Sequence, residues 1–129
     1  MITIFTKPNN SSSKQAQKWL KERQIPFKTV SYANLSLSDL IKILSLTDTG
    51  VPQIQAKRTS RDTDETFRVN HLIEEASSIS TLLNLMKSYP QRFKAPIIVD
   101  DNKLLIGFND EEIRKFLPRQ RKIQHRFLN

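Results

Sequence analysis

The sequence predicts an α/β protein whose mixed sheet is interrupted by a helical insertion. Three observations carry this expectation. β-branched and aromatic residues alternate in "ITIFT" near the start, two short apolar runs, "APIIVD" and "KLLIGF", lie near the other end, and between them leucine and isoleucine recur at helical spacing.

Ile2 to Thr6 reads as the first strand, and the polar stretch "KPNNSSS" follows it. Ala16, Trp19 and Leu20 then repeat at helical spacing, with Lys14, Lys18, Lys21 and Glu22 on the other side. "IPFKTVSY", residues 25 to 32, reads as a second strand, and strand–helix–strand order implies a parallel pair joined by a right-handed crossover. From Leu35 the pattern becomes helical, with Ser36 or Ser38 as the N-cap and Gly50 where that helix would end. Residues 61–77 are polar and weakly periodic, enough for one or two short helices, and Ile79 to Met86 form another helix stopped by Pro90.

"APIIVD" and "KLLIGF" read as a β-hairpin with Asp101-Asn102 at its turn. Asn109 is then placed to cap a last helix, "DEEIRKFL", with Glu111 and Glu112 in its first turn and Pro118 after it. The order βαβ, helices, ββα is that of a thioredoxin-like fold. Residues 1–34 and 91–118 are expected to form this split thioredoxin-like domain, 35–90 an inserted helical subdomain, and 119–129 a basic C-terminal tail.

Length and composition set limits. A chain of 129 residues that is 37% hydrophobic and 26% charged holds one compact unit. It contains no cysteine, which excludes disulfides, thiolate metal sites, cysteine nucleophiles and thiol switching, and its two histidines make a histidine metal centre unexpected. No apolar run nears the roughly 20 residues that span a bilayer, and no secretory h-region follows Met1, so a cytoplasmic location without membrane contact is expected. The net charge of +8 favours an anionic partner. Arg114, Lys115, Arg119, Arg121, Lys122 and Arg126 occur after Ile113 with no acidic residue among them, as a solvated tail or as a binding patch.

In a thioredoxin-like fold the loop after the first strand leads into a helix whose unpaired N–H groups stabilise a thiolate or an anion. Here that loop reads "NNSSS". A serine hydroxyl needs a base, and no His, Asp or Glu is near it in sequence, so a serine N-cap is the plain reading and an anion held with help from Arg58 or Arg61 the sharper one. "KRTSR", residues 57–61, offers a guanidinium fork for a phosphate or carboxylate, or is a solvated loop. Pro96 opens a strand at the position where thioredoxin-like proteins place a cis-proline.

Taken together, "ITIFT", "KWLKERQIPF", "ILSLTDTG", "KRTSR" and above all "GFNDEEIRKFLPR" resemble the Spx regulators, which share a superfamily with the arsenate reductases (ArsC). The resemblance runs over nearly the whole chain and implies a non-enzymatic transcription regulator without cofactor or metal. Such proteins bind the C-terminal domain of the RNA polymerase α subunit. It places Gly50 at that interface with Thr49, and it puts Ser45 where the family often has an arginine. It matches Arg58 to an arginine that stabilises an oxidised site or oxyanion, Pro96 to the cis-proline, and Ala95, with Lys94 beside it, to a further arginine. The family's C-x-x-C switch falls on Asn10 and Ser13, and the reductases' nucleophilic cysteine falls in the same loop, so neither activity carries over. The ending "RFLN" is similar to the tail by which relatives reach the Clp protease, and the basic tail offers a contact with promoter DNA within the polymerase complex or with the polymerase itself. The alternative is a degenerate reductase-like module that binds an anion or acts as a decoy.

Overall fold

The computed structural model describes residues 1–59 and 61–118. The basic stretch at 119–129, including "RFLN", lies outside the described residues. Among the described residues nine regular elements follow in order: β1 (Ile2–Thr6), α1 (Ser11–Glu22), β2 (Phe27–Ser31), α2 (Leu37–Leu46), α3 (Val51–Ile54), α4 (Asp64–Glu74), α5 (Ile79–Ser88), β3 (Ile97–Val99) and β4 (Leu104–Ile106), with short 3-10 turns at Tyr32–Asn34, Pro90–Arg92 and Glu112–Phe116.

The four strands form one sheet in the order β2-β1-β3-β4. β1 pairs parallel with β2, and the β1/β3 and β3/β4 pairs are antiparallel. Because side chains alternate along a strand, the register sorts the apolar residues onto two faces. Ile4, Ile98 and Leu105 stand side by side on one face and meet Ala16, Trp19 and Leu20 of α1 together with Ile113 and Phe116. Phe5, Ile97 and Val99 point to the other, where Leu40, Ile43, Ile54, Val69, Ile73, Leu82 and Met86 of the helical insertion cover them. This is the thioredoxin-like mixed sheet expected from the element order.

Local chemistry explains the helix ends. α1 closes with Gln24 at φ 56°, where Gln24 N donates to Lys21 O and Ile25 N to Leu20 O, while Leu20 and Ile25 share one core. That is a Schellman stop, which holds with a glutamine because the hydrophobic contact across it adds to the two hydrogen bonds. Ser36, not Ser38, caps α2, since its hydroxyl accepts from Asp39 N while the Asp39 carboxylate accepts from Ser36 N.

Three expectations need correction. The helix expected to run to Gly50 stops at Leu46, because Thr47 turns its hydroxyl back to donate to Leu44 O and its own backbone is extended. Gly50 instead precedes the one-turn helix α3, which the sequence reading did not anticipate. The last helix is a 3-10 segment over Glu112–Phe116 and not an α-helix. Its N-cap is Glu111 and not Asn109, whose side-chain oxygen holds the turn before it by accepting from Glu111 N and Glu112 N, and the tighter winding aligns Ile113 with Phe116 so that both enter the core. The hairpin turns at Asp101-Asn102 as expected, held by Asp100 Oδ1 accepting from Asn102 N and Lys103 N.

Candidate functional site

The loop after β1 is built on a cap. Asn10, at the N-cap of α1, accepts through Oδ1 from Ser13 N at 2.7 Å and from the Ser13 hydroxyl at 2.8 Å. This corrects the serine-cap expectation: the asparagine caps, and Ser13 is buried beneath it. Asn10 and Ser13 therefore touch each other at the two ends of the turn. The Ser13 hydroxyl has a carboxamide oxygen as its partner, which is no base, so nothing here activates it as a nucleophile. Replacing Asn10 with alanine should destabilise the protein by about 1–2 kcal/mol in a urea titration, since two donors lose one acceptor. An unchanged midpoint would mean that the cap contributes nothing.

Facing this loop is the segment before β3. The Ala95–Pro96 peptide bond is cis. Phe5 pairs with Ile97, so Lys7 and Pro96 leave the same end of the sheet. Lys7 Nζ donates to Phe93 O at 3.1 Å, and the Tyr32 hydroxyl donates to Lys94 O. Burial first, and then the Arg92 charge, hold the Lys7 ammonium below the usual lysine range. Arg92 Nη1 is in turn 4.0 Å from Asp62 Oδ1, with both side chains largely shielded. The carboxylate of Asp62 accepts from Thr59 N and from the Thr59 hydroxyl, which ties the "KRTSR" loop to the turn before β3.

The cation that leaves β1 beside the loop is Lys7, with Arg92 close enough for its charge to act on it, and sequence reasoning missed both. Arg58 lies elsewhere: its guanidinium pairs with Glu74 of α4, an exposed contact. Lys94 is held by its backbone N donating to Ile54 O and its carbonyl accepting from Tyr32. Among the described residues no cluster of His, Asp or Glu fit to hold a metal occurs, and no helix is long and apolar enough to cross a membrane.

The second candidate surface surrounds Gly50. Its backbone, at φ 77° and ψ −140°, is in a region that residues with a Cβ avoid. Gly50 N donates to the Thr47 hydroxyl, and Gln53 Oε1 accepts from Asp48 N, Thr49 N and the Thr49 hydroxyl, so the turn is fixed from within. A Cβ built on Gly50 would meet nothing within 4 Å. The glycine is needed for the backbone conformation, and it leaves its outer side open. Thr49 and Ser45 are exposed beside it, with the Ser45 hydroxyl donating to Lys42 O. An open groove of about 500 Å³ begins here, with Leu46, Asp48 and Gln53 on one wall and Lys94, Lys103 and Lys115 on the other.

Comparison with known proteins agrees with this geometry. The ArsC family model matches residues 5–116. The global transcriptional regulator Spx of Streptococcus pneumoniae is 36% identical over 126 residues, covering 96% of this chain and 91% of that protein. The Bacillus subtilis protein of the same name is 32% identical over 122 residues, covering 93% and 89%. Among solved structures, a Staphylococcus aureus protein superposes with a TM-score of 0.66 at 18% identity over 92% of this chain and 100% of that one. An ArsC family related protein from Bacteroides fragilis does so with a TM-score of 0.64 at 21% identity, over 88% and 95%. With a strand–loop–helix start, a cis-proline before β3 and a helical insertion over the sheet, the chain belongs to the ArsC family, among its Spx-like members.

Proposed function

We infer that this protein is a cytoplasmic transcription regulator that binds the C-terminal domain of the RNA polymerase α subunit through the surface formed by Ser45, Thr49 and Gly50, and that thiol oxidation does not switch it. The observation that carries the reading is the Gly50 turn, which is held rigid by Gln53 and Thr47 and open on its outer side. A preorganised turn loses little freedom when a partner covers it. The chain has no cysteine, so its activity follows its abundance or a further partner. In this reading the basic segment from Arg119 meets promoter DNA within the polymerase complex, and the last residues, "RFLN", hand the protein to the Clp protease.

The test is binding to the isolated α C-terminal domain. Gly50→Ala measures the strain of placing a Cβ at positive φ, and Gly50→Arg adds bulk over the turn. The arginine variant should bind at least tenfold more weakly than the alanine variant. If Gly50→Arg binds as well as the parent, the interface lies elsewhere.

A reductase-like anion module is the second reading. Lys7 beside the degenerate loop favours it, but Arg92 faces Asp62, Arg58 pairs with Glu74 and Ser13 has no base. Arsenate-dependent thiol consumption above background would support it.

A further inference from the structure

Charge is unevenly spread along the chain. Residues 1–38 carry six basic side chains, Lys7, Lys14, Lys18, Lys21, Arg23 and Lys28, against one acidic side chain, Glu22. Residues 39–118 hold eleven basic and twelve acidic ones and are close to neutral. The net positive charge of residues 1–118 therefore sits on the first βαβ unit. Lys14, Lys18 and Lys21 occupy positions i, i+4 and i+7 of α1, all exposed, on the side away from the buried Ala16, Trp19 and Leu20. Arg23, at the C-cap, lies on the other side of the helix, its guanidinium 3.9 Å over the Trp19 ring and donating to Trp19 O, and is not part of this row. Glu22, 3.9 Å from Lys18 and 4.0 Å from Arg23, is exposed and offsets only one of these charges.

We propose that the exposed face of α1 docks the phosphate backbone of duplex nucleic acid without reading its sequence. The spacing fits, because Lys14 and Lys21 are about 10 Å apart along the helix axis, a length over which one strand presents about three phosphates. The chemistry fits as well: ammonium groups on flexible stems act as point charges and lack the planar fork that reads base edges. A duplex is favoured over a single strand because Trp19, the aromatic residue of α1, is only 7% exposed and offers no face on which a base could stack. The proposal does not depend on the α-subunit contact. α1 covers one face of the sheet, and α2, which leads to the Gly50 turn, covers the other, so both partners can be held together.

The experiment is fluorescence anisotropy of the full chain with a labelled random-sequence duplex of about two helical turns, at about 50 and about 200 mM salt. Two variants are compared with the parent: Lys14→Gln/Lys18→Gln/Lys21→Gln, and Arg119→Gln/Arg121→Gln/Lys122→Gln/Arg126→Gln. The α1 variant should bind about tenfold more weakly at the lower salt, and its log–log salt slope should shrink by about 2.7, the contribution of three phosphate contacts. Its melting temperature should stay at the parent value, since all three side chains are exposed. The four-residue tail variant should keep a salt-dependent affinity that the α1 substitutions then remove. The proposal is overturned if the α1 variant binds like the parent, if the parent shows no duplex binding at the lower salt, or if polyglutamate competes as well as unlabelled duplex, which would mark an acidic protein as the occupant.

Discussion

Phe93→Ala should lower stability by about 3–5 kcal/mol, the range for emptying a fully buried aromatic site. Phe93 is 0% exposed and packs with residues of both the sheet and the insertion. Its surroundings cannot collapse easily onto an alanine. It pairs with Gln55 in an isolated antiparallel bridge, Lys94 N donates to Ile54 O at 2.8 Å, and Ala56 N donates to Arg92 O at 2.9 Å, so the backbone on both sides is fixed. Against a total of about 5–15 kcal/mol for a domain, this loss consumes much of the margin. In a urea titration the midpoint should fall sharply, with the helical signal and the near-ultraviolet signal of Trp19 lost together. That coincidence is expected because Phe5, Ile97 and Val99 of the sheet share a core with the insertion, while Ile4 and Ile98 of the same strands hold Trp19 on the opposite face. A Trp19 signal that outlasts the helical signal would instead show that residues 35–90 melt by themselves.

What could be read directly from the sequence was local or periodic. β1, α1 and the hairpin follow from alternation, helical spacing and turn chemistry within a few residues. The Gly50 helix end was misplaced because apolar residues from Leu35 to Leu46 at helical spacing suggested one long element, whereas Thr47 and Gln53 reorganise the turn through their side chains. On α2 only Leu40 and Ile43 are fully buried, and Leu37 and Ile41 face outward. Lys7 beside the degenerate loop and the Arg92 charge acting on it were illegible for another reason. Lys7 and Arg92 are 85 positions apart in sequence, and only the pairing of β1 with β3 brings their segments together. Asp62, which links that place to "KRTSR", looks like any loop aspartate until its partners are known. The spacing of Asn10 and Ser13 was visible at once, but their contact, and which of them caps the helix, depends on the loop conformation.

Tyr32→Phe should cost about 1–3 kcal/mol at neutral pH, because the Lys94 carbonyl loses its donor in a buried setting. The size of this effect should change with pH in a way that identifies its cause. Tyr32 is 1% exposed, and burial raises its phenol well above the ordinary tyrosine range. In the unfolded chain the phenol ionises near pH 10, while in the folded protein it stays protonated to higher pH. Between those points the native state binds the extra proton, so the contribution of Tyr32 is complete below about pH 10 and declines above it, by up to about 1.4 kcal/mol per pH unit. Lys7 works in the opposite sense: its lowered folded value penalises the native state until the pH rises towards the unfolded lysine range. Because Lys7 is present in both proteins, its effect cancels in the comparison. The stability gap between parent and variant should therefore be constant from pH 7 to 9 and narrow above pH 10. A gap that stays constant to pH 12 would mean that Tyr32 ionises as freely in the fold as outside it, and that the hydroxyl beside the cis-proline segment is not sealed from water.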